Sequence, residues 1–110
     1  MTVKTITTEE LKHKIDSGRP VALVEVLPAD QYAKGHLPTA ISVPLDERFN
    51  EEMQLSVPDR GRDVVVYCDS ETCLTSQVAA ERLTDLGYRN VYDYEEGKAG
   101  WKDAGLPLVQ

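Results

Sequence analysis

Residues 64–83 read VVVYCDSETCLTSQVAAERL, and the fold follows from how this stretch is parsed. Val64 to Tyr67 are four β-formers in an apolar run without polar alternation. That pattern suits a strand covered on both faces, as in a parallel sheet. From Ser76 to Leu86 the period turns helical, with Val78, Ala79, Leu83 and Leu86 expected on one side and Gln77, Glu81 and Asp85 elsewhere. Thr75 or Ser76 is the expected N-cap. Between strand and helix lies a loop that starts at Cys68 and holds a second thiol, Cys73. A cysteine at the carboxyl end of a buried strand, feeding a helix N-terminus, sits where backbone N–H groups converge. Such a cradle binds anions and favours thiolate over thiol.

Composition bounds what the loop serves. The 110 residues suffice for one small domain, residues 1–110, with a single core. Twelve Lys and Arg against 19 Asp and Glu give a net charge of −7, which argues against nucleic acid or an anionic membrane as a partner. No apolar run approaches the roughly 20 residues that span a bilayer. The N-terminus, MTVKTITTEELK, has no apolar core of a signal peptide, and a reducing cytoplasm is the expected location. Two cysteines and two distant histidines are too few for a disulfide scaffold or a metal site, so no metal or other cofactor is expected.

Outward from the central stretch, the same alternation of strand and helix recurs. Thr7 or Thr8 caps a first helix running to about Ser17, with Leu11 and Ile15 on one face and Gly18 ending it. Val21 to Val26 read as another buried strand, with Glu25 inside it in need of a partner, expected to be a loop backbone group. Pro28 opens a short helix that Gly35 stops, and Ile41 to Val43 form a brief strand. Residues 45–57 read as a loose helix with Phe49, Met53 and Leu55 inward. Gly87 ends the central helix, Asn90 to Asp93 form a strand, and Gly97 begins a last segment carrying Trp101. Strands separated by helices predict an α/β domain with a mainly parallel sheet and helices on both faces. Ligands in such sheets collect at the carboxyl ends of strands, where Cys68 falls.

These residues also resemble a known family. Residues 21–45, VALVEVLPADQYAKGHLPTAISVPL, resemble the first signature of rhodanese-like sulfurtransferase domains, where an Asp-Val-Arg strand end precedes Tyr-x-x-Gly-His-Ile-Pro-Gly-Ala. Val64 to Cys68 resembles the strand leading to the rhodanese nucleophile, and residues 87–108, with their Trp and Gly-Leu-Pro, resemble the family's last third. The resemblance implies a parallel sheet of about five strands. It also implies a loop cysteine that takes sulfane sulfur from a small-molecule or protein donor as a persulfide and passes it to a thiol or other thiophilic acceptor. By position Cys68 is that nucleophile, and Asp69, Ser70, Glu71, Thr72, Cys73, Leu74, Thr75 and Ser76 form the substrate-binding loop.

The departures are informative. The common loop is a cysteine, four residues and an arginine followed by serine. Here the fifth residue after Cys68 is Cys73, and taking Ser76 as the aligned serine makes the loop about two residues longer, with no arginine in it. The aspartate and arginine of the first signature are Glu25 and Leu27, and the glycine after the His-x-Pro step is Thr39. Three roles are open to Cys73: resolving a persulfide by forming a disulfide with Cys68, relaying the sulfur, or filling the place of the arginine. Asp69 and Glu71 oppose a dianionic donor and favour polysulfide or a protein persulfide over thiosulfate, unless both point into screening solvent. His36 is expected to fix the Gly-His-Leu-Pro turn by hydrogen bonds, and Trp101, Tyr92 and Tyr94 to pack. Set against a sulfur carrier is a non-catalytic rhodanese-like module that binds a partner or senses redox state through a Cys68–Cys73 disulfide. The plainest alternative makes Cys68 a small buried hydrophobe. The carrier reading expects its sulfur open to donors and ringed by peptide amides.

Overall fold

The computed structural model describes residues 3–70 and 72–110. In chain order its elements are β1 (Lys4–Thr5), α1 (Thr8–Asp16), β2 (Val21–Glu25), α2 (Ala29–Lys34), β3 (Ile41–Ser42), α3 (Phe49–Ser56), β4 (Asp63–Tyr67), α4 (Thr75–Asp85), β5 (Asn90–Tyr94) and α5 (Gly97–Asp103). The five strands form one sheet in the order β1-β5-β4-β2-β3, every pairing parallel. β4 therefore lies in the middle, and its Val64, Val65 and Val66 are fully buried, each worth about 1.5–3 kcal/mol by transfer from water. Successive strand side chains point to opposite faces, so one run supplies two cores. Val64, Val66 and Cys68 pack with Phe49, Met53, Ala79, Ala80 and Leu83 of α3 and α4. Val65 and Tyr67 pack with Leu11 and Trp101 of α1 and α5.

Local signals behave as the residues dictate at most boundaries. Thr7 and Glu10 close a reciprocal capping box on α1, with Glu10 N–H donating to Thr7 Oγ1 at 3.1 Å and Thr7 N–H to Glu10 Oε1 at 3.0 Å. Three expectations are corrected. The buried stripe of α4 is Ser76, Ala79, Ala80 and Leu83, and Val78, about 100° round the helix from Ala79, is exposed. Small Ala side chains bring α4 close to the sheet, a preference that hydrophobicity alone ranks below Val. In α3, Phe49 and Met53 point inward while Leu55, two residues on, faces solvent at 76% exposure. The N-cap of α4 is Leu74, without a side-chain cap, rather than Thr75 or Ser76. The strand that sequence patterning missed is β1, only two residues long, too short to show a period.

Candidate active site

Cys68 follows β4 directly, and the loop it opens is tethered to the start of α5. The Lys98 N–H donates to the Cys68 carbonyl at 3.1 Å and the Ala99 N–H to the Asp69 carbonyl at 2.9 Å. This close approach requires Gly97, which takes a left-handed φ of +61°, and a Cβ there would stand 2.5 Å from the Cys68 carbonyl oxygen. Within the loop, Cys73 N–H donates to the Ser70 carbonyl at 3.1 Å, and the Ser70 and Thr72 hydroxyls hydrogen-bond at 3.0 Å. The turn brings the two thiols together: Cys68 and Cys73 form a disulfide, their Cα atoms 6.5 Å apart.

Cys68 is 1% exposed, and here the structure departs from the expected open, amide-ringed sulfur. It packs in the apolar cluster with Val66, Ala79 and Ala80, bonded to the half-buried Cys73, and the polar atoms beside Cys68 Sγ are the Cys73 carbonyl oxygen at 3.4 Å and Ser76 Oγ at 3.9 Å. The first N–H groups of α4 have no intrahelical acceptor and its first turn carries no acidic side chain, but among the described residues no backbone N–H is hydrogen-bonded to the Cys68 sulfur. Any anion at position 68 is thus reached only once the disulfide opens.

Of the other loop positions, Ser76 is buried, Ser70 and Thr75 are half-buried, and Asp69, Thr72 and Leu74 are exposed. Glu71 lies outside the described residues. The exposed Asp69 side chain leaves screening by solvent in force at that position. Two clefts flank the loop. One, of about 540 Å³, is lined by Val26, Leu27, Pro28, Leu45, Asp46 and Thr75. The other, of about 250 Å³, lies between the loop and α5 and includes Ser70, Thr72 and Glu96.

Beneath the loop sits a buried polar group that patterning found only in part. Glu25 is fully buried; Tyr67 Oη donates to its Oε1 at 2.9 Å, and Lys98 Nζ lies 3.0 Å from its Oε2. That second contact is an ion pair rather than an aligned hydrogen bond, and Lys98 Nζ also donates to the Gln31 carbonyl at 2.9 Å. The partners of Glu25 are side chains, not the loop backbone that was expected. Burial, with the Glu25 charge adding to it, pushes the Tyr67 phenol well above its ordinary range, so it stays a donor. Leu37 N–H donates to the same phenol oxygen at 3.2 Å, which ties in the Gly-His-Leu-Pro turn. His36 meets its expectation: it stacks on Tyr32, its Nδ1 lies 3.2 Å from the Tyr32 carbonyl, and its backbone pairs with Val109. Trp101 is core, its Nε1–H donating to the Pro107 carbonyl. Tyr94 is buried too, its hydroxyl hydrogen-bonded to Thr8 at 2.5 Å.

Two buried residues escaped the sequence reading. Lys98 carries no local signal of burial, because only the tertiary fold places Glu25 beside it. Asp93, on β5, is 3% exposed, and burial raises its carboxyl pKa against the opposing contact of the Ser76 hydroxyl. An acid at an inward position of an otherwise apolar strand was the available signal for it. Among the described residues no three His, Cys, Asp or Glu side chains converge as a metal site would need, and no helix is long and apolar enough to cross a membrane.

Comparison with known proteins bears directly on this arrangement. Residues 7–104 match the pattern of the rhodanese-like domain family. The chain is 34% identical to the thiosulfate sulfurtransferase PspE of Escherichia coli, over 79% of this chain and 77% of that one. It is 35% identical to the HTH-type transcriptional regulator Rv0324 of Mycobacterium tuberculosis, over 94% of this chain but only 43% of the regulator's length. Among solved structures, the BH2092 protein of Bacillus halodurans superposes with a TM-score of 0.87 at 24% identity, covering 96% of this chain and 76% of that one, a likeness of fold.

Proposed function

The chain belongs to the rhodanese-like domain family, and from that premise we propose that it is a sulfurtransferase whose Cys68 carries sulfane sulfur as a persulfide. What supports this most is the position of Cys68 at the carboxyl end of the central strand, within reach of a second thiol on its own loop. The Cys68 thiolate attacks the outer sulfur of a polysulfide or a protein persulfide. An S–S bond forms at Cys68, and the donor leaves as a thiolate with the electron pair of the broken bond. An acceptor thiolate then takes the outer sulfur, returning Cys68 to thiolate. Where no acceptor arrives, Cys73 attacks the inner sulfur, hydrosulfide leaves, and the Cys68–Cys73 disulfide results. Two electrons from a dithiol reductant of a compartment such as the cytoplasm reopen it. The whole chain acts as one unit, with loop residues 69–76 shaping donor access and no cofactor taking part.

The test is intact mass after exposing the reduced protein to polysulfide or thiosulfate. A gain of one sulfur that Cys68→Ser abolishes and Cys73→Ser retains is expected. Loading that survives Cys68→Ser overturns the assignment. The disulfide also favours a second reading, a partner-binding or redox-sensing module, in keeping with the regulator that shares this domain. Its signature is a loss of two hydrogens on mild oxidation, abolished by either substitution, with no sulfur gained from any donor.

A further inference from the structure

The two sulfurs of the Cys68–Cys73 disulfide are unequally placed. Cys68 follows β4, is 1% exposed, and packs in the cluster that holds Val66, Ala79 and Ala80. Cys73 lies on the loop, is half-buried, and stands between Thr72 and Leu74, both exposed, Leu74 at 65%. A thiolate that opens a disulfide attacks one sulfur along the line of the S–S bond, from the side away from the sulfur that leaves. Such an approach to Cys68 has to cross the packed cluster, whereas Cys73 keeps surface in contact with solvent. The surroundings of Cys68 also suit it to leave. Ser76 Oγ, in the first turn of α4, lies 3.9 Å from its sulfur. That turn carries N–H groups without an intrahelical acceptor and no acidic side chain, a setting that favours thiolate over thiol. A sulfur whose anion is favoured is the better leaving group. The Cys73 carbonyl oxygen, at 3.4 Å, accepts the S–H once the released sulfur takes up a proton.

We propose that Cys73 is the sulfur an incoming thiolate attacks when the disulfide is reduced, and that Cys68 is the sulfur released. The inference deepens the proposed function and rests on the Cys68–Cys73 disulfide being a working state of the sulfur carrier. One thiolate of a dithiol reductant bonds to Cys73 Sγ as the bond between Cys73 and Cys68 breaks. The electron pair of that bond leaves on Cys68, which becomes a thiolate. The reductant's second thiolate then attacks the reductant sulfur held by Cys73, and Cys73 leaves as a thiolate in turn. The dithiol is oxidised to a disulfide by two electrons, the chain's disulfide is reduced by the same two, and the two protons of the dithiol go to the released thiolates or to solvent. Cys68 is therefore free to take sulfur while Cys73 still holds the reductant. Cys73 acts as the entry thiol, and the buried carrier is never itself joined to a reductant.

The experiment treats the oxidised full-length chain with a small neutral monothiol, 2-mercaptoethanol. Acid stops the exchange at successive times, and N-ethylmaleimide then caps the thiol that has been released. Both cysteines fall on the tryptic peptide of residues 63–82, and fragment-ion sequencing places each adduct. At the earliest times mercaptoethanol is expected on Cys73 and N-ethylmaleimide on Cys68, in at least about tenfold excess over the reverse. The reverse arrangement, or equal amounts of both, overturns the proposal, and so does an oxidised chain that has not lost the two hydrogens of the disulfide. In denaturing urea, where Cys68 loses its cover, the two adducts are expected in comparable amounts; a preference for Cys73 that survives unfolding overturns burial as its cause. Sulfur loading of the reduced chain, measured in parallel, separates the two levels. Loading on Cys68 with the mercaptoethanol adduct also on Cys68 sinks the entry assignment alone. An adduct on Cys73 with no loading from any donor sinks the carrier instead.

Discussion

Replacing Lys98 by Met tests what holds the loop's foundation in place. The Lys98 side chain is 7% exposed and Glu25 is fully buried, so neither charge reaches solvent. Met matches the length of the apolar stem but leaves the Glu25 carboxylate with only the Tyr67 phenol and the Gln31 carbonyl without its donor. Breaking one side of a buried pair costs about 3–5 kcal/mol, against about 0–1 kcal/mol for a surface pair. A domain of this size has about 5–15 kcal/mol of stability in total, so the loss is a large share of it. Urea unfolding followed by far-UV circular dichroism reads the change as a lower midpoint at constant slope. The double variant Glu25→Gln, Lys98→Met leaves no buried charge while keeping an acceptor for Tyr67, and recovers most of the loss. A single-variant cost below about 1 kcal/mol, or a double variant no more stable than Lys98→Met, refutes the view that an uncompensated charge is responsible.

Three further outcomes follow from single residues. Because burial raises the Asp93 carboxyl pKa in the folded chain, the native state holds this proton more tightly than the unfolded state. Stability from Asp93 is therefore lost as pH rises from 3.8 through the raised folded value, and Asp93→Asn flattens that slope and unfolds at higher urea at pH 7 than the wild type. Thr39 occupies φ +70°, where the family pattern has glycine. Thr39→Gly relieves about 1–2 kcal/mol of left-handed strain, offset in part by glycine's backbone entropy, and raises the urea midpoint by the equivalent of about 0.5–1 kcal/mol. Gly97→Ala drives a methyl group into the Cys68 and Asp69 backbone, costs at least about 2 kcal/mol in the same assay, and slows sulfur loading at Cys68 measured by intact mass; loading at the wild-type rate contradicts the tether drawn from α5.

Unbroken apolar runs located β2 and β4, and the 3.6-residue period located the long helix, because each buries enough residues to leave a pattern. Patterning failed at β1, where two residues carry no period, and at Val78 and Leu55, where hydrophobicity pointed inward but helix phase pointed out. Cys68 and Cys73 were legible because a strand end followed by a helix start is a local feature, and their closeness follows from a short turn. Glu25 announced that it needed a partner, yet nothing local named Lys98, 73 positions away.

The amino-acid order by itself determined the layered α/β architecture, the loop at the end of the central strand and the two thiols on it, since all are contacts among near neighbours. Only the folded chain decided that the first thiol is buried and bonded to the second, and that a lysine from the last helix neutralises a buried glutamate. Desolvation is the reason: the cost of burying a charge depends on what surrounds it in space, and a linear pattern does not contain that information.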